Sequence, residues 1–226
     1  NADDGSCVTL IVEGCTDSDY AEFNPSANTD DGSCATLASS CTEVEMDGYT
    51  YSVVEIGDQC WFAENLRTTV YADDSSIPEV TNNGIWSTLG TSARCDYDNN
   101  AANVATYGRL YNWYAVNNGS GLCPSGWHVP TDGEWTDLEV YITSQGFTGT
   151  EGTALKSTTG WSGNGNGTED FGFSALPGGY RDSSNGSFGY AGTFGVWWSS
   201  SPIGGNAWNR YLEYDSPGID RSSTPS

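Results

Sequence analysis

The sequence predicts an α+β fold stapled by disulfides, and three observations carry that prediction. A capping box opens one helix, turn dipeptides punctuate short β-branched and aromatic runs, and seven cysteines are spread along a chain rich in Gly, Asn, Ser and Thr. Cysteines in such numbers belong to an oxidising, extracellular setting. The chain is therefore expected to be secreted, with any signal peptide lying outside this numbering.

Taken in order, the first forty residues differ from the rest. Asn1-Ala-Asp-Asp-Gly-Ser-Cys7 is echoed by Asn28-Thr-Asp-Asp-Gly-Ser-Cys34. Residues 1–13 form one segment, in which Val8-Thr-Leu-Ile-Val-Glu13 reads as a strand. Residues 14–40 form a complete acidic repeat and a short linker, and residues 41–226 the main domain. Asp17, Asp19, Asn28, Asp30 and Asp31 could offer hard oxygen ligands to calcium, with Gly32 making the sharp turn. The alternative is a solvated acidic loop.

In the main domain, Asp47-Gly48 and Gly57-Asp58 divide residues 44–63 into hairpin strands. Val104, Tyr107, Leu110, Tyr111 and Tyr114 predict a first helix over 104–116, weakened locally by Gly108. Thr131 with Glu134 three residues on predicts a second helix over 132–144, ended near Gly146, with Trp135, Leu138 and Ile142 on one face. Residues 68–100 and 146–171 are long and turn-rich, and residues 172–201 suit strands with close crossings.

Thirty acidic residues face seven basic ones, a net charge of -23. That excludes nucleic acid as a partner and opposes binding to anionic membranes; no apolar run is long enough to span a bilayer. Aromatic residues make up 13% of the chain, enough to build a core where Leu and Ile are scarce.

Several words resemble one family: Ile56-Gly-Asp-Gln-Cys-Trp-Phe-Ala-Glu-Asn-Leu-Arg67, Tyr107-Gly-Arg-Leu-Tyr-Asn-Trp-Tyr-Ala115, Cys123-Pro-Ser-Gly-Trp-His-Val-Pro130, Phe173-Ser-Ala-Leu-Pro-Gly-Gly-Tyr-Arg181 and Trp197-Trp-Ser-Ser200. They are similar to the Fibrobacter succinogenes major paralogous domain, over about residues 41–224. The resemblance implies secretion and a C-type-lectin-like domain, related to formylglycine-generating enzymes, with two helices and small twisted antiparallel sheets. The acidic repeat loosely resembles thrombospondin type 3 calcium repeats.

Sequence does not fix cysteine connectivity. Cys15–Cys34, Cys41–Cys60 and Cys95–Cys123 are the expected pairs, leaving Cys7 for a partner elsewhere. Members of the family typically finish on a further strand, whereas this chain stops at Arg221-Ser-Ser-Thr-Pro-Ser226. An open sheet edge is expected there. Residues Cys7, Val8, Thr9, Leu10, Ile11 and Val12 would fill that edge in a neighbouring copy. Head-to-tail exchange that does not close generates a filament.

No catalytic residue can be singled out. His128, the single histidine, sits between Trp127 and Val129 and reads as structural. No nucleophile elbow frames a serine. The competing function is carbohydrate binding, with Trp86, Trp161, Trp197, Trp198 and Trp208 stacking on sugars. Core packing is the other reading of each of them. Asn118, Asn166 and Asn185 fit the N-glycan acceptor pattern. The expected function is thus a non-catalytic extracellular structural subunit partnering itself, with an adhesive module as the alternative.

Overall fold

The computed structural model describes residues 11–18, 22–34 and 41–225. The chain divides into two units, Asn1–Thr42 and Glu43–Ser226. Cys7, Val8, Thr9, Leu10 and Asp19 lie outside the described residues.

In the first unit, strand β1 (Glu13–Gly14) pairs in parallel with β2 (Thr29–Asp30). The Cys15–Cys34 disulfide closes the repeat, with the Cα atoms 4.9 Å apart. Acidic and amide side chains shape the loop: Asn24, Asp30 and Asp31 accept the N–H groups of Ser26, Gly32 and Ser33. Such local acceptors are why these residues favour turns. Of the strand expected over 8–13, only Glu13 is in a strand among the described residues, and Ile11 is 66% exposed.

The second unit opens with two hairpins, β3 (Val44–Met46) with β4 (Tyr49–Tyr51) and β5 (Val53–Ile56) with β6 (Gln59–Phe62). Asp47 and Gly48 both have positive φ, at 53° and 68°, the type I′ geometry that two-residue hairpin loops demand. Helix α1 (Asn83–Trp86) is capped by Asn82. Strand β7 (Arg94–Cys95) pairs with β8 (Leu110–Tyr111), flanked by α2 (Val104–Tyr107) and α3 (Trp113–Val116).

The first helix expected from periodicity is therefore broken in two. Gly108 adopts φ 68°, ψ -150°, a conformation closed to residues with a side chain. A Cβ there would lie 2.6 Å from the Leu66 carbonyl oxygen. The chain leaves the helix, pairs at Leu110–Tyr111, and re-enters one where Asn112 caps the Ala115 N–H at 3.1 Å.

Helix α4 (Asp132–Ile142) carries the capping box in full: Thr131 Oγ1 accepts from Glu134 N at 3.2 Å, and Glu134 Oε2 accepts from Thr131 N at 2.7 Å. It runs into a widened turn over Thr143–Phe147, which Gly146 ends at φ 99°. Trp135, Leu138 and Ile142 are buried together with Ile56, Trp61 and Leu212. Each such side chain contributes about 1.5–3 kcal/mol. Helix α5 (Glu151–Leu155) completes this layer.

The largest sheet comprises β9 (Gly178–Arg181), β10 (Phe188–Ala191), β11 (Phe194–Ile203), β12 (Asn206–Glu213) and β13 (Asp220–Pro225). Its order is β10-β9-β11-β12-β13, and only the β9–β11 contact is parallel. The expectation that the chain ends before a terminal strand is thus corrected. Residues 220–225 pair with β12 from Tyr211↔Asp220 to Asn206↔Pro225. Their polar sequence hides a strand because an edge strand need not be apolar.

The cysteines are corrected as well. Cys15–Cys34 forms, and Cys41 and Cys60 are both disulfide-bonded. Cys95 and Cys123 are free thiols. Cys95 pairs with Leu110 across the β7–β8 ribbon and interacts with Arg181. Burial pushes the two thiols up to about 11 and about 12, respectively.

Candidate functional site

The two faces of the sheet differ. On one, Leu212 and Trp197 join the core with α4. Arg210 on the same face is buried and binds Asp132 Oδ1 at 2.7 Å and Glu139 on the helix. On the other face stand Phe194, Val196 and Trp198 of β11, Asn209 and Tyr211 of β12, and Ser222 and Thr224 of β13, as the register requires. Asn209 Nδ2 donates to Thr224 Oγ1 at 2.8 Å across the strands.

A cavity of about 820 Å³ borders this second face and also reaches side chains of the first, among them Trp61, Trp135 and Trp197. Its sheet wall includes Phe194, Trp198 and Tyr211, and its opposite wall includes Tyr111, Trp113 and Leu122. Trp198 Nε1 donates to the Tyr111 carbonyl at 2.9 Å, which fixes one indole. Trp113, 9% exposed, has an indole N–H with no partner. A buried donor without an acceptor is costly.

Beyond the cleft the aromatic wall continues as a row. Tyr180 stacks on Tyr190 at 5.0 Å, Tyr190 meets Phe194 edge-on at 5.1 Å, and Phe194 stacks near Tyr211 at 6.1 Å. These four side chains come from β9, β10, β11 and β12. Burial raises the Tyr180 hydroxyl, with the neighbouring Tyr190 adding to it. Burial also raises Tyr211, as do the charges of Asp220 and Glu213. Both hydroxyls stay protonated and able to donate at neutral pH.

The five tryptophans singled out from sequence do not form one surface. Trp86 and Trp161 are buried, at 7% and 5% exposure, and cannot offer a free face. Arg181 lies over the Trp86 ring at 4.4 Å and Lys156 over Trp161 at 4.9 Å. Trp208 is covered by Arg221 at 3.5 Å. Trp197 donates to Asn65 Oδ1 at 2.9 Å. Trp86, Trp197 and Trp198 border the cavity, and of these only Trp198 stands on the same sheet face as Phe194 and Tyr211. The tyrosines and Phe194 were missed because only strand register assembles them.

His128 Nε2 contacts both Glu134 oxygens, at 2.8 and 2.9 Å, and Glu134 also caps α4. The pair belongs to the helix start. In the acidic repeat, Asn28 Oδ1 accepts the Val12 N–H at 3.0 Å, and Asp30 and Asp31 each hold a turn N–H. The Ser33 hydroxyl and N–H keep Asp31 below the usual carboxylate range. Among the described residues, no three His, Cys, Asp or Glu side chains gather closely enough to hold a metal ion. Nor is any helix among them long and apolar enough to cross a membrane.

No curated protein and no solved structure matches the chain significantly. The family model of the Fibrobacter succinogenes major domain matches residues 54–222, which takes in nearly all of the second hairpin and most of the large sheet. On that match, the chain belongs to the Fibrobacter succinogenes major domain family.

Proposed function

We propose that the protein is a secreted, non-catalytic structural subunit, C-type-lectin-like in its main domain, that assembles head-to-tail into a surface filament. The supporting observation is the outer edge of β13. This strand ends the sheet, pairs with β12 on one side, and has no backbone partner on the other among the described residues. An unpaired edge is a template for a strand from another chain. The donor is the apolar run from Cys7 to Ile11, ahead of Val12. Val12 is itself tied down, since its N–H and carbonyl bind Asn28. The acceptor is thus the free side of β13, because the place beside β12 is filled from within the chain. Donor and acceptor patches differ, so the contact is head-to-tail, the kind that extends into a filament where its rotation does not close a ring.

Negative-stain microscopy of the native protein and of a variant lacking residues 1–13 tests this. Fibres that vanish with the deletion support it. Discrete particles from the native protein, or fibres that persist in the variant, sink it.

Calcium in the acidic repeat belongs to the same proposal, with Asp17, Asp19, Asn28, Asp30 and Asp31 as ligand candidates. The carboxylate oxygens of Asp30 and Asp31 not used in turns would face the ion. A second reading, adhesion to extracellular carbohydrate, is favoured by the aromatic cleft.

A further inference from the structure

We infer that the large sheet binds an uncharged polysaccharide chain along the row Tyr180–Tyr190–Phe194–Tyr211, with the cavity beside it taking the polymer's flank. The inference rests on the carbohydrate reading and names its site and ligand class.

Backbone geometry comes first. Tyr190 has φ 69°, in the left-handed region that a bulky residue enters only at a cost. It is also 54% exposed. The ring stays half exposed although it touches Tyr180 and Phe194, and backbone strain of this kind collects at binding sites. The ladder accommodates it where Gly189 faces Tyr180 and Ala191 faces Gly178, skipping Tyr190. Gly179 permits the close crossing, since a Cβ there would lie 2.4 Å from the Gly189 carbonyl oxygen.

Ring placement comes second. The row crosses the strands with centroids 5.0, 5.1 and 6.1 Å apart. The sheet holds it rigid, so little side-chain entropy is lost on binding. Aromatic surfaces of this kind receive the apolar C–H faces of sugar rings. The protonated tyrosine hydroxyls reach sugar oxygens.

The third observation is the buried Trp113 N–H on the cavity wall, which has no acceptor among the described residues. A sugar hydroxyl or ring oxygen would supply one. Tyr180, Phe194 and Tyr211 border the same cavity.

Charge selects the ligand class. Glu213 and Asp220 flank Tyr211, and the chain carries -23 overall. Uronic-acid or sulfated polymers would be repelled, whereas carboxylates accept hydrogen bonds from neutral sugar hydroxyls.

Affinity electrophoresis of the full chain in native gels tests this, with hydroxyethyl cellulose, xyloglucan, galactomannan or alginate in the matrix. Retardation by at least one neutral polymer and none by alginate is expected. Y190A and Y211A should each weaken binding about tenfold. V140S, at an exposed position on α4, should leave it unchanged. Unaltered melting of Y190A separates loss of contact from loss of fold. If no polymer retards the protein, the carbohydrate reading itself falls. If a polymer binds but Y190A and Y211A bind equally well, that reading stands and the sheet-face site is overturned. Retardation by alginate overturns the neutral-ligand assignment.

Discussion

At the scale of single residues, Gly108 decides more than its neighbours do. Its φ and ψ are accessible to glycine alone, and the Leu66 carbonyl closes the space a side chain would need. G108A should therefore destabilise the domain by about 3 kcal/mol, read as a lower urea midpoint with an unchanged slope. A helix-favouring substitution that stabilised the protein would mean that residues 104–116 are one helix after all. The thiols allow an equally direct check. Alkylation of unfolded, unreduced protein should modify Cys95 and Cys123 and leave Cys15, Cys34, Cys41 and Cys60 untouched. Tryptic mapping that joins Cys95 to Cys123 would restore the pairing expected from spacing. That spacing misled because distance along the chain carries no record of which sulfurs the fold brings together.

At the scale of elements, the contact between α4 and the end of the sheet is electrostatic as well as apolar. Asp132, the first residue of α4, receives Arg221 of β13 at 2.7 and 2.9 Å and Arg210 of β12 at 2.7 Å. The Arg221 hydrogen bonds, against a smaller opposing effect of burial and together with Arg210, hold the Asp132 carboxyl below the usual aspartate range. A depressed folded-state value means the contribution is present at neutral pH and is lost as pH falls through that value. The melting temperature should thus drop below about pH 4, and D132N should show a shallower acid slope. An identical slope in both proteins would remove Asp132 from the account. Salt should weaken the exposed Arg221 pair more than the buried Arg210 one. Since β13 is the proposed acceptor edge, acid should loosen that strand first.

At the scale of the whole molecule, the acidic repeat and the main domain place different demands on the charge. The repeat concentrates carboxylates that repel one another unless a cation or solvent screens them. If calcium is held there, melting in calcium should exceed melting in chelator by several degrees, rising with ion concentration. Equal midpoints would end the calcium proposal. Among the few arginines of the main domain, Arg181 and Arg210 are each given several acceptors. Arg181 donates to the carbonyls of Gly186, Val80 and Thr81. Loops of this length are thereby fastened to the sheet by side chains in place of secondary structure.

Sequence alone determined the parts of this protein that depend on near neighbours. The α4 capping box, the Asp47-Gly48 turn, the Cys15–Cys34 bracket and the family all follow from residues close together in the chain. Tertiary structure decided whatever depends on register and on what packs against what. It broke the 104–116 periodicity, because the Leu66 backbone lies against Gly108. It turned the polar tail at 220–225 into an edge strand, because β12 offered a ladder whose hydrogen bonds ignore side-chain polarity. It also withdrew Trp86 and Trp161 into the interior and brought Tyr180, Tyr190, Phe194 and Tyr211 into one row. Burial and alignment of that kind are set by contacts between residues far apart in the chain, and a linear pattern carries no record of them.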